Sequence, residues 1–405
     1  MRKFVTAASP GAAFDDAIEL DVLRKRTSEK WVKYSAAVLP VFIAETDFPV
    51  PPAVARVLHA AIDNGDLGYA EPRELGNAYA AFAADRYACP TDPADVFALP
   101  DVMVGVAEIL RSVTEAGDGV VINPPVYPPF FTAIREIGRA VVEVPLDTRH
   151  PLAQLDFEHL ERAFAAGARA YVFCNPHNPV GRAFSFEDVA RVAALAERYG
   201  VVVLADEIHG PLVLPGAKHV AFESLASSTG VRSITLTSAS KGWNVAGLKC
   251  ALAVSGSNWG RGVRERLAKA LSHRTGHLGV LALVAAFGSD VGFLDRVVEH
   301  LDVQRKLLRQ LLDDYELGAI GYSPPEAGFL AWLDCRELNL GGDPAKVFLE
   351  LGQVALVPGP AFGTQGSGHA RFNFGTSTGL VTEGVRRMQC AVSAFRADRS
   401  NSLVK

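Results

Sequence analysis

A mostly parallel α/β sheet covered by helices, joined to a smaller α+β part, is the fold class that this sequence predicts. Three observations predict it. Between about residues 95 and 255, short apolar runs alternate with helix-like patterns. The candidate strands are apolar throughout, not at every second position. Beyond about residue 275 the pattern turns strongly helical and then offers only short strands. Strands apolar on both faces belong to sheets covered on both sides, and alternation with helices makes their order parallel.

The elements follow in order. Gly119-Val120-Val121-Ile122, Ala140-Val141-Val142-Glu143-Val144, Arg169-Ala170-Tyr171-Val172-Phe173 and Val201-Val202-Val203-Leu204-Ala205 read as short buried strands. Ser233-Ile234-Thr235-Leu236-Thr237 is a further apolar run. A helix is expected between Ser185, with Asp188 three residues on as in a capping arrangement, and Gly200 as its stop. The stretch Val297–Leu308 reads as helix, and Phe329–Leu333 and Val354–Val357 as short strands. The expected division is a large domain over 50–285 and a small one formed by 1–49 with 286–405. The Gly-rich run Gly363–Gly368 reads as a loop, with nothing that specifies phosphate binding.

Bulk composition narrows the function classes. Charged residues make up 21% and hydrophobic ones 49%, an ordinary globular balance. A formal net charge of −5 without a long basic run argues against nucleic acid or an anionic membrane as partner. The stretch MRKFVTAASPGAAFDD lacks the apolar centre of a signal peptide, and no apolar run is long enough to span a bilayer. Five cysteines, far apart and never in a CxxC pair, fit reduced thiols and no metal site. The expectation is a soluble cytoplasmic protein.

Sites in parallel sheets gather at the carboxyl ends of the strands. Asn175, Asp206 and Lys241 each follow such an end. Ser238-Ala239-Ser240-Lys241 places a lysine beside two hydroxyls, and a desolvated lysine amine can attack a carbonyl. That pattern points to a Schiff base with a phosphorylated aldehyde, although a solvated surface lysine would look the same in isolation. Pyridoxal 5′-phosphate (PLP) needs more than a lysine. A carboxylate must keep its ring nitrogen protonated, and Asp206 in Leu204-Ala205-Asp206-Glu207-Ile208-His209 is placed for it, or equally for a turn. Asn178, in Asn175-Pro176-His177-Asn178-Pro179-Val180-Gly181, and His209 are candidates to reach the ring's phenolic oxygen; both also suit ordinary loops. Tyr127 on the proline-stiffened loop Pro124–Phe130 could cover the ring or simply pack on prolines. Ser238, Ser240, Lys249 and the N–H groups of a helix opening near Met103 and Val104 could hold a phosphate. Arg371, in Ala370-Arg371-Phe372-Asn373, supplies a planar fork for a carboxylate, or is a surface arginine.

In order and rough spacing, Tyr127, Asn178, Asp206, His209, Ser238, Lys241 and Arg371 match fold-type I PLP enzymes. From about residue 30 to 395 the chain resembles the class I/II aminotransferase superfamily. It is most similar to the MalY/PatB-like branch of cystathionine and cysteine-conjugate β-lyases, through Pro125–Phe130, Asn175–Gly181, Asp206–His209, Gly68-Tyr69 and Glu45-Thr46-Asp47-Phe48-Pro49. The resemblance implies a fold-type I PLP-transferase with PLP as cofactor. It implies that Lys241 binds the aldehyde and moves the Cα proton, that Asp206 binds the ring nitrogen, and that Asn178 approaches the phenolic oxygen. Tyr127 would stack on the ring with Ile208 behind it. Ser238, Ser240 and the backbone of Met103 and Val104 would hold the phosphate, and Arg371 the substrate carboxylate, beside Asn178 and Tyr127. Tyr69, catalytic with Lys241, would reach the cofactor phosphate of a neighbouring subunit, which implies a homodimer with shared sites.

Three departures stand out. Many relatives outside the branch carry tyrosine at the place of His209. Lys249 stands where many aminotransferases have an arginine. Ala44-Glu45-Thr46-Asp47-Phe48 replaces the usual Ala-Asp-Met-Asp-Phe, close to where substrate lies in relatives. The implied activity is β-elimination from a cysteine thioether, giving a thiol, pyruvate and ammonia. Transamination uses the same lysine and aspartate and is the alternative. A binding protein without turnover is a third reading, opposed by the complete set of lysine, aspartate, tyrosine and arginine.

Overall fold

The apolar runs do pair into one central sheet in the computed structural model, which describes residues 19–150, 152–226, 229–289 and 291–403. Strand β1 (Leu39–Pro40) lies apart from it. The sheet itself is built from β2 (Val96–Leu99), β3 (Gly119–Ile122), β4 (Ala140–Glu143), β5 (Ala170–Cys174), β6 (Val202–Asp206), β7 (Ser233–Thr237) and β8 (Ala251–Val254). Their order is β2-β8-β7-β6-β5-β3-β4. The pairs among β3 to β7 are parallel, whereas β8 runs antiparallel to both β7 and β2.

The reason these strands are apolar at every position is visible in their packing. Along β5, Ala170, Val172 and Cys174 join the core on one face, while Tyr171 and Phe173 join the core on the other. β6 divides in the same way, with Val202 and Leu204 on one side and Val203 and Ala205 on the other. The first face is covered by helices Val102–Val113 and Pro129–Glu136, the second by Phe157–Ala165 and Phe186–Tyr199. The last of these starts with the expected capping box between Ser185 and Asp188 and stops at Gly200 with φ of 67°.

The remaining strands are β9 (Leu330–Asp334), β10 (Val354–Ala355), β11 (Val357–Pro358) and β12 (His369–Asn373). β11, β12 and β9 form an antiparallel sheet in that order, and β10 pairs in parallel with β1. The single strand expected over 354–357 is therefore two short ones, on either side of Leu356, that serve different sheets. Through β1 the N-terminal segment is stitched to the C-terminal part. Residues 1–18 of the segment expected there lie outside the described residues. The expected boundary at 285/286 falls inside the unbroken helix His277–Ser289, which packs on helices Pro52–Asp63 and Arg73–Tyr87. The change of partner comes later, since helix Val291–Asp314 packs on Thr378–Leu403. Among the described residues no single helix is long and apolar enough to cross a membrane.

Candidate active site

The carboxyl ends of four of the parallel strands, β3, β5, β6 and β7, contribute side chains to a single cavity of about 230 Å³. Tyr127 comes from the loop after β3, Asn178 from the loop after β5, and Asp206 is the last residue of β6. Lys241, Ser238 and Ser240 come from the loop after β7. Met103, Ile208, His209 and Lys249 also line it. The loops after β3 and β5 flank the point where the strand order reverses, which is where open parallel sheets leave a crevice.

Lys241 is half-buried and its Nζ donates to the carbonyl of Ala44 at 2.8 Å. Burial, and then the nearby Arg371 guanidinium, lower its pKa to about 8. Asp206 is buried, and its carboxylate accepts one hydrogen bond among the described residues, from Ile208 N at 3.1 Å. Its pKa is raised to about 6, by burial first, against the opposing pull of the Ile208 N–H and Lys241. A buried carboxylate with so little compensation is a ready acceptor for a cationic N–H. His209 is buried and neutral, its pKa pushed down to about 3 by burial and then by the two cations. Its Nδ1 has no partner among the described residues and faces Gly328, where an added Cβ would stand 3.4 Å away. Burial, then Asp206, raises the phenol pKa of Tyr127.

The anion-binding end is arranged differently from expectation in two respects. Val104 needs correcting: its N–H already donates to the side chain of Asp101 at 2.8 Å, the N-cap of helix Val102–Val113, and it does not line the cavity. The first-turn N–H groups beside it, at Val102 and Met103, have no helical carbonyl to bond. The Ser238 hydroxyl is committed inward, to the carbonyl of Cys250 at 2.7 Å and to Ser240 Oγ at 2.8 Å. Ser240 is the more available hydroxyl. Lys249, largely exposed, pairs with Asp101 at 3.0 Å.

Arg371 sits on β12 and does not itself line the cavity. It is buried, donates from Nη1 to Asn178 Oδ1 and from Nη2 to the Phe42 carbonyl, both at 3.0 Å, and lies over the Phe362 ring. Burial lowers its pKa to about 10, which still leaves it charged at neutral pH. Asn178 therefore has its oxygen occupied and its NH₂ group left for the cavity. Tyr69 stays outside, 88% exposed. Sequence reasoning missed Asp101, Ala44 and Cys174. An aspartate directly before an apolar helical run was a visible cap signal, whereas Ala44 acts through its backbone and leaves no trace in side-chain chemistry.

The donor set fits PLP: an amine of lowered pKa, an undercompensated carboxylate, a hydroxyl and a helix N-terminus converge on one cavity. The sequence model of the family described as aminotransferase class I and II matches residues 43–388. The chain is 32% identical to a cystathionine beta-lyase of Corynebacterium glutamicum, over 91% of this chain and 98% of that one. It is 31% identical to the cystathionine beta-lyase PatB of Bacillus subtilis (strain 168), covering 88% and 92%. The crystal structure of cystalysin from Treponema denticola, which contains a pyridoxal 5′-phosphate cofactor, superposes with a TM-score of 0.85 at 26% identity, covering 92% and 97%. These likenesses and the fold make the chain a member of the class I and II aminotransferase family, in its MalY/PatB-like C–S lyase branch.

Proposed function

We infer that this protein is a PLP-dependent C–S β-lyase, which splits a cysteine thioether with water into a thiol, pyruvate and ammonia. The observation that carries this is the convergence of the Lys241 amine and the Asp206 carboxylate on one cavity, from the ends of paired strands. Bound PLP supplies an electron sink conjugated to the substrate's Cα. The chain supplies the rest. Asp206 keeps the ring nitrogen protonated. Lys241 would hold the aldehyde, and its Nζ is placed to take the Cα proton. Ser240, the Met103 N–H and Lys249 hold the phosphate. Tyr127 and Ile208 would enclose the ring, and the Asn178 amide would serve its phenolic oxygen. His209, neutral, offers one N–H to the same side. Arg371 holds the substrate carboxylate, oriented by Asn178.

The test is direct. Purified protein loaded with PLP is expected to release pyruvate from L,L-cystathionine with no keto acid present. Turnover that appears only on adding a keto acid, with amino transfer to it, would replace this reading by an aminotransferase.

A pH prediction follows from Lys241. Only the neutral amine attacks the aldehyde, so a pKa of about 8 in place of the ordinary 10.5 makes cofactor uptake fastest on the alkaline side. The rate of PLP capture by cofactor-free protein, followed by absorbance, is expected to rise through about pH 8 and then level off. A rate still climbing steeply above pH 10 would contradict it.

We also propose a cytoplasmic homodimer. Tyr69 is 88% exposed beside Leu67 at 60%, an apolar projection that a second copy would cover. Five unpaired thiols, four of them buried, suit a reducing compartment. Sedimentation as a monomer at micromolar concentration would remove the dimer. The division into a large and a small domain is kept as a proposal, with the C-terminal boundary moved past the end of helix His277–Ser289.

A further inference from the structure

Four consecutive carbonyls in the N-terminal segment are each taken by a side chain from elsewhere in the chain. Arg371 Nη2 donates to Phe42 O at 3.0 Å and Asn373 Nδ2 to Ile43 O at 2.6 Å. Lys241 Nζ donates to Ala44 O at 2.8 Å. Asn373 Nδ2 and Lys30 Nζ share Glu45 O, at 2.8 and 3.1 Å. The next residue is held at both ends of its peptide. Thr46 N donates to Asn244 Oδ1 at 3.1 Å, and Asn244 Nδ2 donates to Thr46 O at 2.8 Å. Lys30 in turn pairs with Asp47 at 2.8 Å, both side chains almost wholly buried. The segment thus forms a strap between β12, which carries Arg371 and Asn373, and the loop that carries Lys241 and Asn244.

Two of the four donors are the cations of the site. The strap therefore touches both ends of the span that an amino-acid substrate must bridge, from its Cα at Lys241 to its carboxylate at Arg371. If the Lys241 amine were engaged by the cofactor, it would have to give up its bond to Ala44. Of the hydrogen bonds described above, those of Asn244 are then the ones that still tie the strap to the lysine loop. Asn244 is built for this place: its backbone has φ of 54°, a left-handed conformation that asparagine tolerates better than most residues. The bonds from Arg371, Asn373, Lys241 and Asn244 all go to main-chain atoms of the strap, so these anchors can stay in place while its side chains vary. The Glu45-Thr46 departure from the usual pattern therefore leaves these anchors intact, while the Glu45 side chain itself accepts from Ser28 Oγ at 2.8 Å.

We propose that Asn244 is a positioning residue, which by gripping both main-chain groups of Thr46 fixes residues 42–46 against the Lys241 loop and so sets the distance between Lys241 and Arg371. The identity of the substrate as an α-amino carboxylate rests on the lyase reading; the grip itself does not.

The test uses PLP-loaded protein with Asn244→Gly, since glycine adopts the same φ freely and lacks the amide, and Asn244→Asp, which keeps the oxygen and loses the NH₂. Three quantities are read: hydrogen exchange at the Thr46 amide, calorimetric binding of 3-(methylthio)propionate, and KM against kcat for the thioether. For Asn244→Gly, exchange is expected to be at least about tenfold faster, and binding and KM about tenfold weaker, from the loss of two hydrogen bonds. The melting temperature and the visible PLP band should stay near wild type, with Asn244→Asp intermediate. Binding and KM within twofold of wild type, with Thr46 exchange either faster or unchanged, would overturn the proposal. If Asn244→Gly does not fold, Asn244→Asp decides, and wild-type values of binding and KM there are fatal. A wild-type protein that releases no pyruvate would sink the lyase reading and leave the exchange and probe-binding results standing.

Discussion

Lys241→Ala is expected to abolish turnover and covalent cofactor retention together. The amine has two tasks that no neighbour can assume. In the proposed reaction it would be the nucleophile for the aldehyde and the base for the Cα proton, and its pKa of about 8 suits both near neutral pH. Lys249 also lines the cavity, but it is paired with Asp101 beside the N-terminus of helix Val102–Val113. General base loss alone is worth about 10²–10⁴-fold, so a fall in kcat of at least about 10³-fold is expected. Borohydride reduction followed by mass spectrometry should find PLP fixed to position 241 in wild type and nowhere in the variant. Retained turnover above a hundredth of wild type would contradict the assignment.

Asp206→Asn should be nearly as damaging for a different reason. The amide keeps the shape and can still accept the Ile208 N–H, so the fold and the covalent bond at Lys241 should survive. What it loses is the negative charge that, in the proposed reaction, would keep the ring nitrogen protonated. Removing one partner of a buried ionic contact costs about 3–5 kcal/mol, or roughly 10²–10⁴-fold in rate. The readout is kcat with cofactor content measured on the same sample. A loss of less than tenfold with full cofactor content would mean that Asp206 does not face the ring nitrogen.

Much of the fold could be read from the sequence because its signals were local. Gly119–Ile122 carried the pattern of a strand buried on both faces, and Ser185, Asp188 and Gly200 carried helix-end chemistry. The site was readable for a related reason. Tyr127, Asn178, Asp206 and Lys241 each sit at or just beyond a strand's carboxyl end, so the general rule for parallel sheets already grouped them. The insertion of antiparallel β8 between β2 and β7 was not readable, since strand order is decided by packing over long separations. Nor were interactions that run through backbone atoms, such as Ala44 O to Lys241 and Thr46 to Asn244. The Val104 expectation failed because a helix N-terminus offers several N–H groups, and Asp101 had already claimed one of them.

The placement of Arg371 on β12, far along the chain from β3 to β8, bears on how the protein comes into being. A ribosome releases the polypeptide from its N-terminal end, and units tend to fold as they emerge. The strands that carry Tyr127, Asn178, Asp206 and Lys241 are all out once β8 has appeared, more than a hundred residues before Arg371. A nascent chain could therefore acquire the means to capture the vitamin-derived aldehyde well before it can grip any amino acid, so loading during translation would precede the danger of premature chemistry.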